Sequence, residues 1–182
     1  MSQHIDQILA FNKQFVDGEH YKSYSATKIP SKKIAILACM DARMTELLPA
    51  ALNLKNGEAK IIKNAGAVIT HPFGSVMRSL LVAVYELGVE DIMIIGHYDC
   101  GVQGLEAPKL IKKMTSRGIS QDKIDFVSSC GINVKQWLTG FEKIEDSVVE
   151  TVKLVKGHPL MPADVRVHGF VIDPASGRLD RM

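Results

Sequence analysis

Cysteine is scarce in this chain: Cys39, Cys100 and Cys130 are the three among 182 residues. They form no C-x-x-C pair, so the common thiol-redox motif is missing. No apolar run approaches the ~20 residues needed to span a bilayer. The first fifteen residues include His4, Asp6, Asn12, Lys13 and Gln14, a polarity at odds with the apolar core of a secretory signal. These absences predict a cytoplasmic protein with no membrane partner, whose cysteines are thiols or metal ligands rather than disulfides. Charge of one sign is also lacking. The net charge is +2, and the basic residues are scattered apart from the pairs Lys32-Lys33 and Lys112-Lys113, which read as solvated surface. Nothing there favours nucleic acid or an acidic membrane. Internal repeats, low-complexity segments and interdomain linkers are absent too, so a single domain over 1–182 is expected.

What is present suits a globular core: hydrophobic residues make up 46% and charged residues 23%. Apolar residues at positions 5, 8, 9, 15 and 16 have helical spacing and predict an N-terminal helical arm within 1–18. A polar stretch follows, ended by Pro30. Ile34 to Ala38, Ala59 to Lys63, Asp91 to Ile95 and Val165 to Ile172 read as short core strands. Helices are expected over 45–52, 74–87, 105–118 and 144–155, with Gly88 as a C-cap. In the last of these, Glu145 and Asp146 near the start and Lys153 and Lys156 near the end complement the helix dipole. Asp173 to Gly177 reads as a turn, with a short returning strand after it. Strands alternating with helices predict an α/β fold around a mainly parallel sheet.

Such sheets build their sites just past the carboxyl ends of strands. Cys39-Met40-Asp41-Ala42-Arg43 follows the first core strand, and His97-Tyr98-Asp99-Cys100-Gly101 follows the third. Two thiolates and an imidazole are the donor set that zinc favours in tetrahedral geometry, and three protein ligands leave one position for water. His97 and Cys100, three residues apart, are expected to reach one ion from a turn entering a helix, and Cys39 closes the site from the neighbouring strand. Asp41 has two readings. It can take the fourth metal position and close the site, or it can pair with Arg43 through a two-pronged hydrogen bond and leave that position to water. A carboxylate with two cationic suitors is a plausible switch. C-x-D-x-R and H-x-x-C are each weak signals. Both together, each after a core strand and with Asn64-Ala65-Gly66 between them, are strong.

On these motifs the sequence resembles the β-class carbonic anhydrases, in particular their small single-domain bacterial members, from the N-terminal helix to the final D-P-A-S-G turn. The resemblance implies zinc held by Cys39, His97 and Cys100, an Asp41-Arg43 catalytic pair, and an Asn64-Ala65-Gly66 loop near the site. With Gly101, that loop is expected to help place the substrate. It also implies a sheet in the order 2-1-3-4 plus a short extra strand, and a homodimer in which the N-terminal helix crosses the partner. The expected reaction is the reversible hydration of carbon dioxide to bicarbonate and a proton by zinc-bound hydroxide. Three positions depart from the common pattern: Ala42, Tyr98 and Val102. Tyr98 is expected to bear on substrate access, and His71 or Tyr98 on proton relay.

Other readings stand beside this one. The same zinc site can serve another small substrate, as in carbon disulfide hydrolases, or the chain can be a non-catalytic zinc-binding regulatory dimer. A structural site has four permanent ligands and no need of a neighbouring arginine, so Asp41-Arg43 argues for catalysis. A cysteine phosphatase needs five residues between Cys and Arg, where Cys39 and Arg43 have three. Taken alone, Cys39 reads as a small buried hydrophobe and Asp41 as a helix cap. Cys130, without metal-ligand company, reads as a non-ligand thiol, and His4, His20, His158 and His168 as surface or packing residues.

Overall fold

The computed structural model describes residues 2–182. Five strands form one sheet in the order β2-β1-β3-β4-β5. They are β1 (Ile34–Cys39), β2 (Ala59–Asn64), β3 (Asp91–His97), β4 (Arg166–Ile172) and β5 (Leu179–Arg181). The first four run parallel and β5 returns antiparallel to β4. This is the mainly parallel α/β sheet, with its short extra strand, that the sequence predicts. The uninterrupted apolar run of β1 has a simple cause: the strand lies between β2 and β3 and is covered on both faces. Successive side chains point to opposite faces. Ala35 and Leu37 therefore enter one core cluster, with Met77, Leu80, Ile92, Ile94 and Val148. Ile36 and Ala38 enter the other, with Met44, Leu48, Ile95 and Ile172.

The helices sort to these faces by their apolar stripes. Helices α3 (Ser75–Leu87) and α7 (Ile144–Lys156) supply the first cluster, and α2 (Met44–Ala51) covers the second. Gly88 closes α3 in the left-handed region, at φ 67°. By contrast, α1 (Gln3–Asp17) buries none of its residues, and Ile8, Leu9 and Phe11 are exposed along it. No helix among the described residues is long and apolar enough to cross a membrane.

One expectation needs correction, and two helices are additional to those expected. The segment after Cys100 does not turn directly into a helix: turns run through Gly104, and α4 (Ala107–Ser116) begins later. Between α4 and α7 the chain also forms α5 (Gln121–Ser129) and α6 (Val134–Leu138), which the apolar periodicity did not signal. Each buries one side chain, Ile124 and Val134 respectively, so neither carries a broad apolar stripe.

Candidate metal centre

Strand register assembles the site. Cys39 ends β1 opposite Asn64, the last residue of β2, while Ala38 pairs with Ile95 two residues before His97 ends β3. The carboxyl ends of three neighbouring strands thus meet at one level. There the two sulfurs of Cys39 and Cys100 lie 3.8 Å apart, and one ligand atom each from Cys39, His97 and Cys100 falls within 4.8 Å of the others. All three side chains are buried, at 4%, 1% and 5% exposure.

The imidazole of His97 is set for ligation. Its Nδ1 lies 2.8 Å from the Tyr98 carbonyl, which can only accept, so Nδ1 carries the proton and Nε2 the lone pair. Nε2 is buried and has no hydrogen-bond partner. An unpaired buried polar atom is costly, and a cation between it and the two sulfurs removes that cost. Two sulfurs and an imidazole nitrogen fit zinc by softness and number.

Charge is distributed unevenly over the trio. The Cys39 thiol is pulled down, first by its hydrogen bond with Cys100, then by His97 and the backbone N–H of Gly66, against the opposing effect of burial. Cys100 is pushed up, first by that same bond to Cys39 and then by burial. His97 is raised, first by interaction with the Cys39 sulfur. Gly66 donates its backbone N–H to Cys39 Sγ at 3.4 Å. The close approach comes from its left-handed conformation, φ 87°, in the turn after β2. A Cβ there would meet Phe141 at 3.1 Å and Val102 at 3.3 Å.

Asp41 stands beside the trio rather than in it. Its Oδ2 is 3.8 Å from His97 Nε2, but both carboxylate oxygens accept from Arg43: Nε to Oδ1 at 3.0 Å and Nη2 to Oδ2 at 2.9 Å. The backbone N–H of Arg43 also reaches Oδ1, at 2.9 Å. These bonds hold the Asp41 carboxyl well below the usual carboxylate range. Of the two sequence readings for Asp41, the structure has the pairing with Arg43.

The expected substrate-placing residues divide. Gly66 is buried against Cys39, whereas Ala65 and Gly101 are exposed. Asn64 donates from Nδ2 to the Val68 carbonyl at 2.5 Å and leaves Oδ1 buried without a partner. Tyr98 sends its hydroxyl to Asp180 of β5, at 3.3 Å, and His71 Nδ1 accepts from the backbone of Phe73. Neither bond leads into the metal site. Sequence reasoning gave no role to Asp99 or Phe141, and marked Val102 only as a departure from the common pattern. Asp99 carried a signal, as a carboxylate inside the His97–Cys100 segment, and Phe141 carried none. A groove of about 890 Å³ lies elsewhere, between α7 and β4, and contains none of these residues.

The carbonic anhydrase family model matches residues 34–179. The chain is 51% identical over 176 residues to YvdA of Bacillus subtilis (strain 168), whose name carries a provisional carbonic anhydrase assignment; the match covers 97% of this chain and 89% of YvdA. Among solved structures it is similar to β-carbonic anhydrase isoform I of Trichomonas vaginalis, with a TM-score of 0.90, 32% identity, and 100% and 97% of the two chains covered. A carbon disulfide hydrolase of Acidithiobacillus thiooxidans is 25% identical over 90% of this chain and 85% of its own length.

Proposed function

Because the chain belongs to the β-carbonic anhydrase family, whose enzymes interconvert carbon dioxide and bicarbonate, we propose that Cys39, His97 and Cys100 hold one zinc ion here and that Asp41 and Arg43 govern its fourth position. The observation that carries this reading is the buried, unpartnered Nε2 of His97 facing two sulfurs. Zinc, when bound, supplies a Lewis acid that makes water a nucleophile near neutral pH.

The chain's own residues do the rest. Asp41 is ionised and can accept only, so a water held beside His97 would donate to it and be oriented by it. Arg43 holds that carboxylate beside the trio, rather than in it, through two parallel N–H bonds. If that pair were released, Asp41, whose Oδ2 is 3.8 Å from His97 Nε2, would be free to serve as a fourth ligand to an ion held by Cys39, His97 and Cys100. Gly66 stabilises the Cys39 thiolate through its N–H. Asn64, Ala65 and Gly101 border the site and help to place carbon dioxide and bicarbonate. The apolar residues Ile8 and Phe11, exposed at 62% and 67%, fit a homodimer in which α1 packs on a second copy.

The test is stopped-flow carbon dioxide hydration on purified protein at pH 7 and pH 8.5, with zinc measured in parallel. Zinc near one per chain with rapid hydration, both lost in Cys100→Ser, is the expected result. Full zinc with no hydration at either pH overturns the reading, and carbon disulfide is then the next substrate to assay. In Arg43→Ala, Asp41 is expected to settle on the metal; full activity in that variant would sink the gating idea.

A further inference from the structure

We infer that Asp99 is a positioning residue: it clamps Arg43 across the two ligand loops and so fixes the attitude of Asp41. This rests on the role just proposed for the Asp41-Arg43 pair. The two halves of the metal centre come from different strands. Cys39 ends β1 and the loop after it carries Asp41 and Arg43, while His97 ends β3 and the loop after it carries Asp99 and Cys100. The guanidinium of Arg43 joins them. Nη1 donates to Asp99 Oδ2 at 2.8 Å and Nη2 to the Asp99 carbonyl at 2.9 Å, while Nε and Nη2 hold Asp41. Four of its five N–H donors are thus engaged, two by each aspartate.

The backbone of Asp99 is shaped for this. Its φ is 54°, a left-handed conformation that few residues other than glycine adopt and that Asp and Asn tolerate best. In it, carboxylate and carbonyl both face one guanidinium. The Asp99 side chain is 85% exposed, so as an isolated ion pair it would matter little. Its effect comes through geometry. With Asp99 in place, the planar fork of Arg43 is held along its far edge and presents its other edge to Asp41. Without that carboxylate, a half-exposed arginine keeps its Asp41 bonds and the backbone carbonyl of residue 99 but loses the Nη1 contact, so its far edge is held at one point and it swings with the Asp41 carboxylate.

The experiment uses the zinc-loaded full chain with Asp99→Ala and Asp99→Asn. Asn suits the same backbone conformation and keeps a side-chain oxygen acceptor, which separates the clamp from local folding. Three quantities are read: zinc per chain, the solvent-exchange rate of the Arg43 Nε–H by nitrogen-15 NMR, and kcat and KM for hydration. In the Ala variant the Nε–H should exchange about three- to tenfold faster and kcat fall by a similar factor, with zinc retained and KM within about twofold. The Asn variant should recover most of both. Unchanged exchange and kcat in Asp99→Ala overturn the proposal, as does loss of zinc in both variants, which would make Asp99 merely structural. If the wild-type protein carries zinc and hydrates nothing, the proposed function fails, but the Nε–H exchange still decides whether the clamp exists.

Discussion

Gly66 offers the sharpest link between backbone geometry and the metal centre, through the substitution Gly66→Ala. Two costs add. A non-glycine residue in the left-handed region loses about 1–2 kcal/mol, and Gly66 sits there at φ 87°. The new Cβ also meets Phe141 Cε1 at 3.1 Å and Val102 Cγ1 at 3.3 Å, so both side chains must give way. Overpacking of that kind costs about 1–3 kcal/mol. The total, about 2–5 kcal/mol, is a large part of the ~5–15 kcal/mol that holds a domain folded. If the turn relaxes to avoid the clash, the Gly66 N–H leaves Cys39 Sγ, so metal affinity falls along with stability. Urea unfolding of zinc-loaded and zinc-stripped protein, with a competitive zinc titration, measures both. A variant within about 0.5 kcal/mol of wild type, binding zinc equally well, would refute the account of this turn.

Three further outcomes are expected. Two thiolates cancel the charge of a divalent ion and weaken it as a Lewis acid, so hydration should rise on the alkaline side of neutral; a flat rate profile from about pH 6 to 9 would contradict this. At the opposite end of the sheet, Asp91 takes two bonds from Arg166, at 2.8 and 2.6 Å, and lies 3.2 Å from His168 Nε2. Arg166 first, and His168 after it, lower its pKa. A depressed carboxylate stabilises the fold fully above its unfolded value near ~3.9, and that contribution is lost as pH falls through the folded value. Asp91→Asn should therefore be less stable than wild type at pH 6, with the gap narrowing below about pH 4; urea midpoints that stay parallel throughout would count against this pair. Tyr98→Phe removes the hydroxyl bond to Asp180 and should leave hydration within about twofold of wild type, because that hydroxyl is engaged by a carboxylate of β5 outside the Cys39-His97-Cys100 trio. A large drop would restore Tyr98 as a proton relay.

Much of this protein is legible in short stretches of sequence. Hydrophobic runs announced β1 and β3, helical spacing announced α3 and α7, and the strand-ending positions of Cys39 and His97 marked where a site should form. These signals are local: they depend on periodicities of two and 3.6 residues and on turn chemistry. Helices α5 and α6 escaped because each buries a single side chain and shows no stripe to read. The N-terminal helix announced itself, but nothing in the chain's own core receives it. Other features existed only once the sheet was ordered. Cys39 and Cys100, 61 positions apart, meet because β1 and β3 are neighbours in parallel register. The sequence offered two places for Asp41, and the structure pairs it with Arg43. It also places Asp99, 56 positions from Arg43, on the other side of the same guanidinium. Periodicity says which residues face inward, but a hydrogen bond between distant loops depends on strand order and register, and those are set by the packing of the whole sheet.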